Sequence, residues 1–279
     1  MLIMKKMVYI WGYVMVTFVV LYGLWLMVRV FLFDYFTIPS DSMTPTIESG
    51  SKVIVNKMIM GPRIYTDFNF DKKGQELKSI RLRGLRRLRH NDIVVFNYPL
   101  HHDRISFVIN HVYCKRVIGL PGDTIFAVNG YFRNNNFDGV LGCIRKQQQL
   151  ESKDERTLRK FGVYRVAPID SIFNWNIKDW GPLYVPRKGD AITVTPHTAI
   201  LYQEILEWET GNEISWDWKS GKVYSSDKEL TQHNFQHNYY HLCGDYVLDS
   251  FDSRYWGFVP EEYIVGVVSR IIKKEKDEV

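Results

Sequence analysis

The apolar positions of this chain fall into one long run followed by a series of short ones. From Met7 to Phe33 the only charged residue is Arg29. At about 1.5 Å per residue, a helix over Val8–Val28 crosses a hydrocarbon core of roughly 30 Å. The run is too long for the apolar part of a secretory signal, and no small-x-small cleavage site follows it. It is read as a retained membrane anchor. Lys5 and Lys6 precede it, which places the N-terminus in the cytoplasm and everything after Phe33 outside it. Asp34 balances Arg29 locally. No second apolar run of that length follows, so the expectation is a single-pass protein carrying a soluble domain.

Beyond the anchor the apolar residues come in short β-branched runs. They are KVIVNK (Lys52–Lys57), DIVVF (Asp92–Phe96), ISFVINHVYCKRVIG (Ile105–Gly119), DAITVT (Asp190–Thr195) and YIVGVVSRII (Tyr263–Ile272). Gly, Pro and Asp bound them, which is strand grammar. Asn129-Gly130 and Ser220-Gly221 have the composition of hairpin turns. The pattern predicts a mostly β fold, in which an N-terminal transmembrane helix is followed by a curved antiparallel β domain. Residues 1–34 are expected to hold the cytoplasmic start and the anchor. Residues 35–272 form the extracytoplasmic domain, interrupted at about 134–184 by a β-rich excursion that includes QQQLESKDERTLRK. Residues 273–279 are a charged tail. Trp175, Trp180, Trp208, Trp216 and Trp218 are expected to pack between sheets and hairpins.

Composition narrows the picture further. The 279 residues suffice for one large domain or two modest ones. Aromatic residues at 15% indicate a folded chain rather than a disordered one. A formal net charge of +5 is too mild to imply nucleic acid. The basic run KKGQELKSIRLRGLRRLRH (72–90) reads as a solvated loop or short helix, or as a contact with anionic lipid headgroups near the anchor. Nucleic acid is a poor third reading, because the run lies on the wrong side of the membrane. Cys114, Cys143 and Cys243 are too few for a disulfide framework and contain no CxxC. One bridge is open to them, and at least one thiol stays unpaired. His101, His102 and His111 lie near one another in sequence, and so do His233, His237 and His241, but the latter fall in a polar, aromatic stretch without matching acidic or thiol ligands. No metal or cofactor is expected. His233 and His237 would share a face if their stretch were helical.

Candidate chemistry starts from Lys115, inside VYCKRVIGLPGD. Strand alternation sends Lys115 and Arg116 to opposite faces. A lysine turned inward loses hydration and its pKa falls. Its neutral amine can then take the proton from a serine hydroxyl attacking a carbonyl. The alternative is that both cations reach outward from an edge strand. No His–Asp–Ser order stands out.

The strings IPSDSMTPTI, NDIVVFNYP, YCKRVIGLPGD and GDYVLDSFDSRYWGFVPEEYIVG occur in this order between Phe36 and Gly266. Together they resemble the motifs of bacterial type I signal peptidases (leader peptidases), a family of Ser–Lys membrane proteases. The stretch from Asn134 to Tyr239 matches only loosely. The resemblance implies a β domain of the signal-peptidase type that removes N-terminal signal peptides from exported preproteins through an acyl-enzyme. It implies Ser42 as nucleophile and Lys115 as general base. Ser250 would orient the lysine amine, and the Ser40 hydroxyl would join the Ser42 backbone N–H in an oxyanion hole. Phe36, Ile38, Pro39, Met43, Ile47, Val53, Val95, Tyr113 and Cys114 match or neighbour the family's small apolar substrate pockets. Asp252, Ser253 and Arg254 correspond to structural residues near the site. Gly119, Pro121, Gly122, Asp123, Gly244 and Asp245 look like turn and scaffold residues.

The implied partners are signal peptides of exported preproteins, the lipid bilayer and, transiently, the secretion translocon. The implied location is the bacterial inner membrane, with the catalytic domain on the periplasmic or outer side. Nine steps from Phe33 to Ser42 span about 30 Å when fully extended, which holds the nucleophile near the outer leaflet. One departure stands out. Where the family often has G-D-N-R-x-N-S, this chain has Gly244-Asp245-Tyr246-Val247-Leu248-Asp249-Ser250, so that loop must pack differently. A non-catalytic anchored relative acting in binding or assembly is the rival reading. Another Ser–Lys protease, such as a self-cleaving repressor, fits poorly with the N-terminal span.

Overall fold

The computed structural model describes residues 2–66, 79–168 and 172–273. Helix α1 (Leu2–Met27) continues through a π-helical turn, Val28–Leu32. Its 24-residue window Tyr9–Leu32 has mean hydropathy 2.1 and no buried residue, and among the described residues it is the one helix long and apolar enough to cross a membrane. The helical path therefore runs about four residues beyond the expected Val28. At its foot Arg29 and Asp34 form an ion pair at 2.7 Å, and Lys57 joins Asp34 at 3.0 Å.

The chain then enters a sheet at once, at Phe33. The strands used below are β1 (Phe33–Thr37), β2 (Lys52–Asn56), β3 (Arg63–Tyr65), β4 (Ser79–Arg81), β5 (Ile93–Asn97) and β6 (Val112–Gly119). They continue with β7 (Thr124–Val128), β8 (Tyr131–Asn134), β9 (Trp180–Tyr184), β10 (Tyr239–Cys243), β11 (Val259–Pro260) and β12 (Ile264–Ile272). Seven of them form one curled antiparallel half-barrel in the order β1-β2-β12-β5-β6-β10-β11. Register shifts interrupt β12 on both flanks and β10 against β6. Such bulges bend a strand and raise its twist, which curls the sheet. β1, which begins at the very end of the apolar run, was not among the expected strands. The expected run Ile105–Gly119 is not one strand: its second half is β6, and Ile105 ends a separate two-residue strand, Arg104–Ile105.

β8, β7 and β9 form a separate three-stranded sheet. Asn129 and Gly130 make the tight turn between β7 and β8, with φ of 52° and 87°. Both positive values are what a two-residue hairpin of this kind requires. Ser220-Gly221 lies in the turn between strands Ile214–Asp217 and Lys222–Ser225.

The excursion at 134–184 is less β-rich than expected. Before β9 it holds two helices, α2 (Ile144–Glu151) and α3 (Glu155–Lys160). Their sequences, IRKQQQLE and ERTLRK, are dominated by good helix formers. The Asp154 side chain caps α3 by accepting from the Thr157 N–H.

Two apolar clusters divide the interior. The larger joins both sheets and the helical segments, from Val94, Phe96 and Val117 to Trp180, Leu206, Tyr239 and Trp256. The smaller lies on the other side of the half-barrel and holds Ile38, Met43, Ile47, Val53, Val55, Val95, Cys114 and Val265. Trp180 is buried and stacks on His241, with ring centroids 5.4 Å apart. Trp175, Trp208 and Trp216 pack half-buried against the large cluster. Trp218 departs from the expectation: it sits in the 218–221 turn and stays 46% exposed. His233 lies on a strand, Gln232–Asn234, rather than a helix, and pairs with Glu209 at 2.6 Å. His237 meets Glu262 instead. All three cysteines are free thiols. Among the described residues no three His, Cys, Asp or Glu side chains converge as a metal site. Residues 72–78 of the basic run and 274–279 of the tail lie outside the described residues.

Candidate active site

The Ile38–Ser51 segment folds back on itself. Ile38 N–H donates to Ser51 O at 2.9 Å, and Gly50 N–H donates to Ile38 O at 2.7 Å. One helical turn forms inside it, closed by Ile47 N–H to Met43 O at 2.9 Å. That turn puts Met43 and Ile47 on one side, and both are fully buried in the smaller cluster. Burial of Met43 fixes the residue before it. Ser42 is thus held at the surface of the domain but only 7% exposed.

β6 supplies the second group. Cross-strand pairing sets Lys115 opposite Val94 and Tyr113 opposite Phe96, on the face of the larger cluster. Cys114 pairs with Val95 on the face of the smaller one. β10 pairs with β6 as far as Cys243 opposite Arg116, and then stops. At that break the Ser42 segment meets β6. Lys115 Nζ donates to Ser42 Oγ at 2.6 Å. Ser40 Oγ lies 3.3 Å from Ser42 Oγ. Ser42 N–H has no acceptor among the described residues. Lys115 is 4% exposed, and burial pushes its ammonium below the ordinary lysine range; the Asp252 carboxylate opposes this in part. Cys114 is also buried, which pushes its thiol up to about 12 and keeps it protonated.

Ser250 Oγ is buried close by and makes no hydrogen bond, to Lys115 or to any other group among the described residues. It faces Gly244, where an added Cβ would lie 2.1 Å from Ser250 Oγ and 2.5 Å from Ser42 O. Asp252 and Arg254 form a fully buried ion pair with contacts at 2.7 and 2.8 Å. Burial drives the Asp252 carboxyl upward, but the Arg254 charge and hydrogen bonds outweigh it and leave the pKa lowered. The pair has structural reach. Asp252 accepts from Gly244 N–H at 2.9 Å, and Arg254 donates to Val247 O at 3.0 Å. Ser253 Oγ accepts from Leu242 N–H at 3.0 Å. The altered loop uses its apolar residues to pack: Val247 is buried in the larger cluster and Leu248 lies against it. Tyr246 N–H donates to Ser42 O at 3.0 Å, while Lys146 of α2 sits 3.7 Å above the Tyr246 ring.

The nine expected pocket residues separate. Ile38, Met43, Ile47, Val53, Val95 and Cys114 share the smaller cluster, with Phe36 packed on it. Pro39 is exposed, and Tyr113 lies on the Lys115 face, its ring 5.8 Å from Lys115 Nζ. Met43, Ile47 and Val53 have no exposed surface. Three residues that the sequence did not bring together tie the site: Arg116 grips Asp245, and Thr46 donates to the same carboxylate. The only local signal for them was a cation and an acid in each of two motifs 129 residues apart.

The signal peptidase family model (Signal peptidase, peptidase S26) matches residues 10–272. The chain belongs to this family. It is therefore a peptidase of the signal peptidase type. It is similar to signal peptidase I of Buchnera aphidicola subsp. Acyrthosiphon pisum, at 27% identity over 88% of this chain and 69% of the relative. It is also similar to signal peptidase I of Aquifex aeolicus, at 26% identity over 86% of this chain and 76% of the relative. Signal peptidase I of Pseudomonas aeruginosa is 34% identical over 51% of this chain and 48% of its own length.

Proposed function

We propose that this signal peptidase is a membrane-anchored serine endopeptidase that removes signal peptides from exported preproteins with a Ser42–Lys115 dyad. The observation that carries the reading is the 2.6 Å hydrogen bond from a buried lysine to a serine hydroxyl. In the neutral amine form, Lys115 Nζ accepts the Ser42 proton as Oγ attacks the scissile carbonyl. The acyl-enzyme forms as the amine leaves with that proton, and water activated by the same lysine hydrolyses the ester. Ser40 Oγ and the Ser42 N–H donate to the oxyanion, a kind of contact commonly worth about 3 kcal/mol per donor. Ser250 Oγ, buried and unpaired, accepts from Lys115 once the lysine turns from Ser42. Asp252, Ser253 and Arg254 hold the loop that carries these groups.

An extended peptide pairs along the open sheet edge at β1 and the segment that continues it toward Ser42. Phe36, Ile38, Pro39, Val95, Tyr113 and Cys114 restrict its side chains to small ones, with Met43, Ile47 and Val53 as the packed floor beneath. In this reading 1–34 is the cytoplasmic start and anchor, 35–272 the catalytic domain and 273–279 a tail. The N-terminus is cytoplasmic, the domain is on the outer side of the bacterial inner membrane, and the translocon delivers substrate nearby.

The test is cleavage of a preprotein whose signal ends in Ala-x-Ala, with full-length protein in liposomes, comparing wild type with Lys115→Ala. Cutting at the predicted bond by wild type, with loss of at least about 100-fold in a folded variant, is the expected result. Equal activity in the variant would end the dyad reading. A folded wild type inert on several such substrates would favour a binding role.

A further inference from the structure

The described part of the basic run has a defined shape. β3 and β4 pair Arg63 with Arg81, Ile64 with Ile80 and Tyr65 with Ser79. For a hairpin facing water the pattern is inverted. The arginines turn inward: Arg63 donates to Glu262 O at 2.9 Å and to Asn97 Oδ1 at 3.0 Å. Arg81 donates to the carbonyls of Gly61 at 2.9 Å, Glu261 at 3.0 Å and Ile264 at 2.6 Å. On the opposite face Ile64 and Ile80 are 37% and 60% exposed. Just after β4, Leu82 and Leu85 are 43% and 71% exposed, interleaved with exposed Arg83, Arg87 and Arg89.

This strip is held in place. Leu85 N–H donates to Met58 O at 2.9 Å, and Arg86 N–H donates to Ile59 O at 3.1 Å. The backbones touch: a Cβ on Gly84 would lie 2.3 Å from Ile59 O, and one on Gly61 would lie 1.8 Å from Leu82 O. The strip also adjoins the anchor. Arg63, Ile64 and Tyr65 line a cavity of about 450 Å³ together with Leu26, Arg29 and Val30 at the foot of the helical span.

We propose that this strip docks on the surface of an anionic phospholipid leaflet. Ile64, Ile80, Leu82 and Leu85 enter the acyl boundary, and Arg83, Arg87 and Arg89 hold headgroup phosphates. The inference rests on the reading of α1 as a membrane span. Three observations select a bilayer as the occupant: isoleucines outside with arginines inside, a rim of cations with no acidic partner among the described residues, and a cavity shared with the end of an apolar helix. Apolar side chains flanked by arginine stems suit the interfacial zone, where stems lie along hydrocarbon and guanidinium groups meet phosphate. A second fixed contact beside the helix sets the tilt of the domain, and with it the height of Ser42 above the leaflet.

The experiment is hydrogen exchange on the full-length protein in nanodiscs of phosphatidylcholine alone and of phosphatidylcholine with phosphatidylglycerol. Amides of 79–89 are expected to exchange on the order of tenfold more slowly in the anionic discs, and R83Q/R87Q is expected to remove that difference. L82S/L85S should remove it as well, through loss of insertion rather than of charge. Equal exchange in the two lipids, or protection that survives R83Q/R87Q, overturns the proposal; lipid-independent protection would mean the strip meets protein. Amides of the span from Tyr9 to Leu32 report separately. If they exchange freely in the discs, the anchor reading has failed and the proposal falls with it.

Discussion

Arg116 and Asp245, 129 residues apart, form a two-pronged ion pair with both contacts at 2.6 Å on the side of β6 opposite Lys115. Arg116 also reaches Asn91 O at 3.0 Å and Thr46 Oγ1 at 3.3 Å. The pair therefore fastens three pieces: the strand carrying Lys115, the turn after β10 and the segment carrying Ser42. The Asp245 side chain is fully buried, so removing its charge leaves a largely buried guanidinium uncompensated.

Asp245→Ala is expected to destabilise the domain by about 3 kcal/mol. It should also lower turnover, because Thr46 loses its anchor and Ser42 its fixed height relative to Lys115. Chemical denaturation of the detergent-solubilised protein, beside a cleavage assay, checks both. A variant with unchanged stability and turnover would remove this pair from the account.

Gly244 packs directly against Ser250 and the Ser42 carbonyl, with no room for a side chain. Gly244→Ala puts a methyl against Ser250 Oγ and the Ser42 carbonyl, so one of them must move. Misplacing the nucleophile by about 1 Å typically costs on the order of 100-fold in rate. The expected outcome is that loss in kcat with the fold retained, read by single-turnover cleavage and circular dichroism. Full activity in the variant would show that the Ser42–Gly244 approach does not set the geometry.

The pH profile follows from the burial of Lys115. On the proposed dyad, the protonated Lys115 ammonium cannot accept the serine proton, so activity is expected to be lost at low pH and to rise as the amine becomes neutral. Because burial lowers the pKa, that rise should fall below the ordinary lysine range. Cleavage rates of a peptide substrate across pH, with stability monitored in parallel, locate it. A rise centred at the ordinary lysine value would mean that Lys115 is solvated in the working enzyme.

Asp252 and Arg254 make a stability prediction of their own. Arg254→Leu leaves the Asp252 carboxylate buried and unpaired, and is expected to cost about 3–5 kcal/mol. In the wild type the Asp252 pKa is depressed, so the pair's contribution is fully present above the unfolded aspartate value. It is lost as pH falls through the lower, folded value. Thermal melts from neutral to acid pH should show a smaller acid-side decline in Arg254→Leu than in wild type. Parallel declines would assign acid lability to other carboxylates.

The sequence by itself determined what local pattern can determine. The apolar run fixes a helix of spanning length, strand alternation puts Lys115 and Arg116 on opposite faces, and Asn129-Gly130 fixes a hairpin. It also marked Ser42 and Lys115, because their motifs are specific. Helix propensity was legible at 144–160 too, where the β-rich expectation gave way to two helices. What only the tertiary structure decided were the relationships between distant segments. Alternation cannot say which face of β6 is covered, or by what; the cluster holding Val94 and Phe96 buries Lys115, and the break in β10 admits Ser42 to it. Likewise, a charge run looks solvated until its pairing is known, and Arg63 and Arg81 turn inward because backbone carbonyls at 261–264 wait for them. Periodicity is a property of neighbours along the chain. Burial of charge depends on what arrives from elsewhere, and that decides whether a cation is a surface group, a strut or a base.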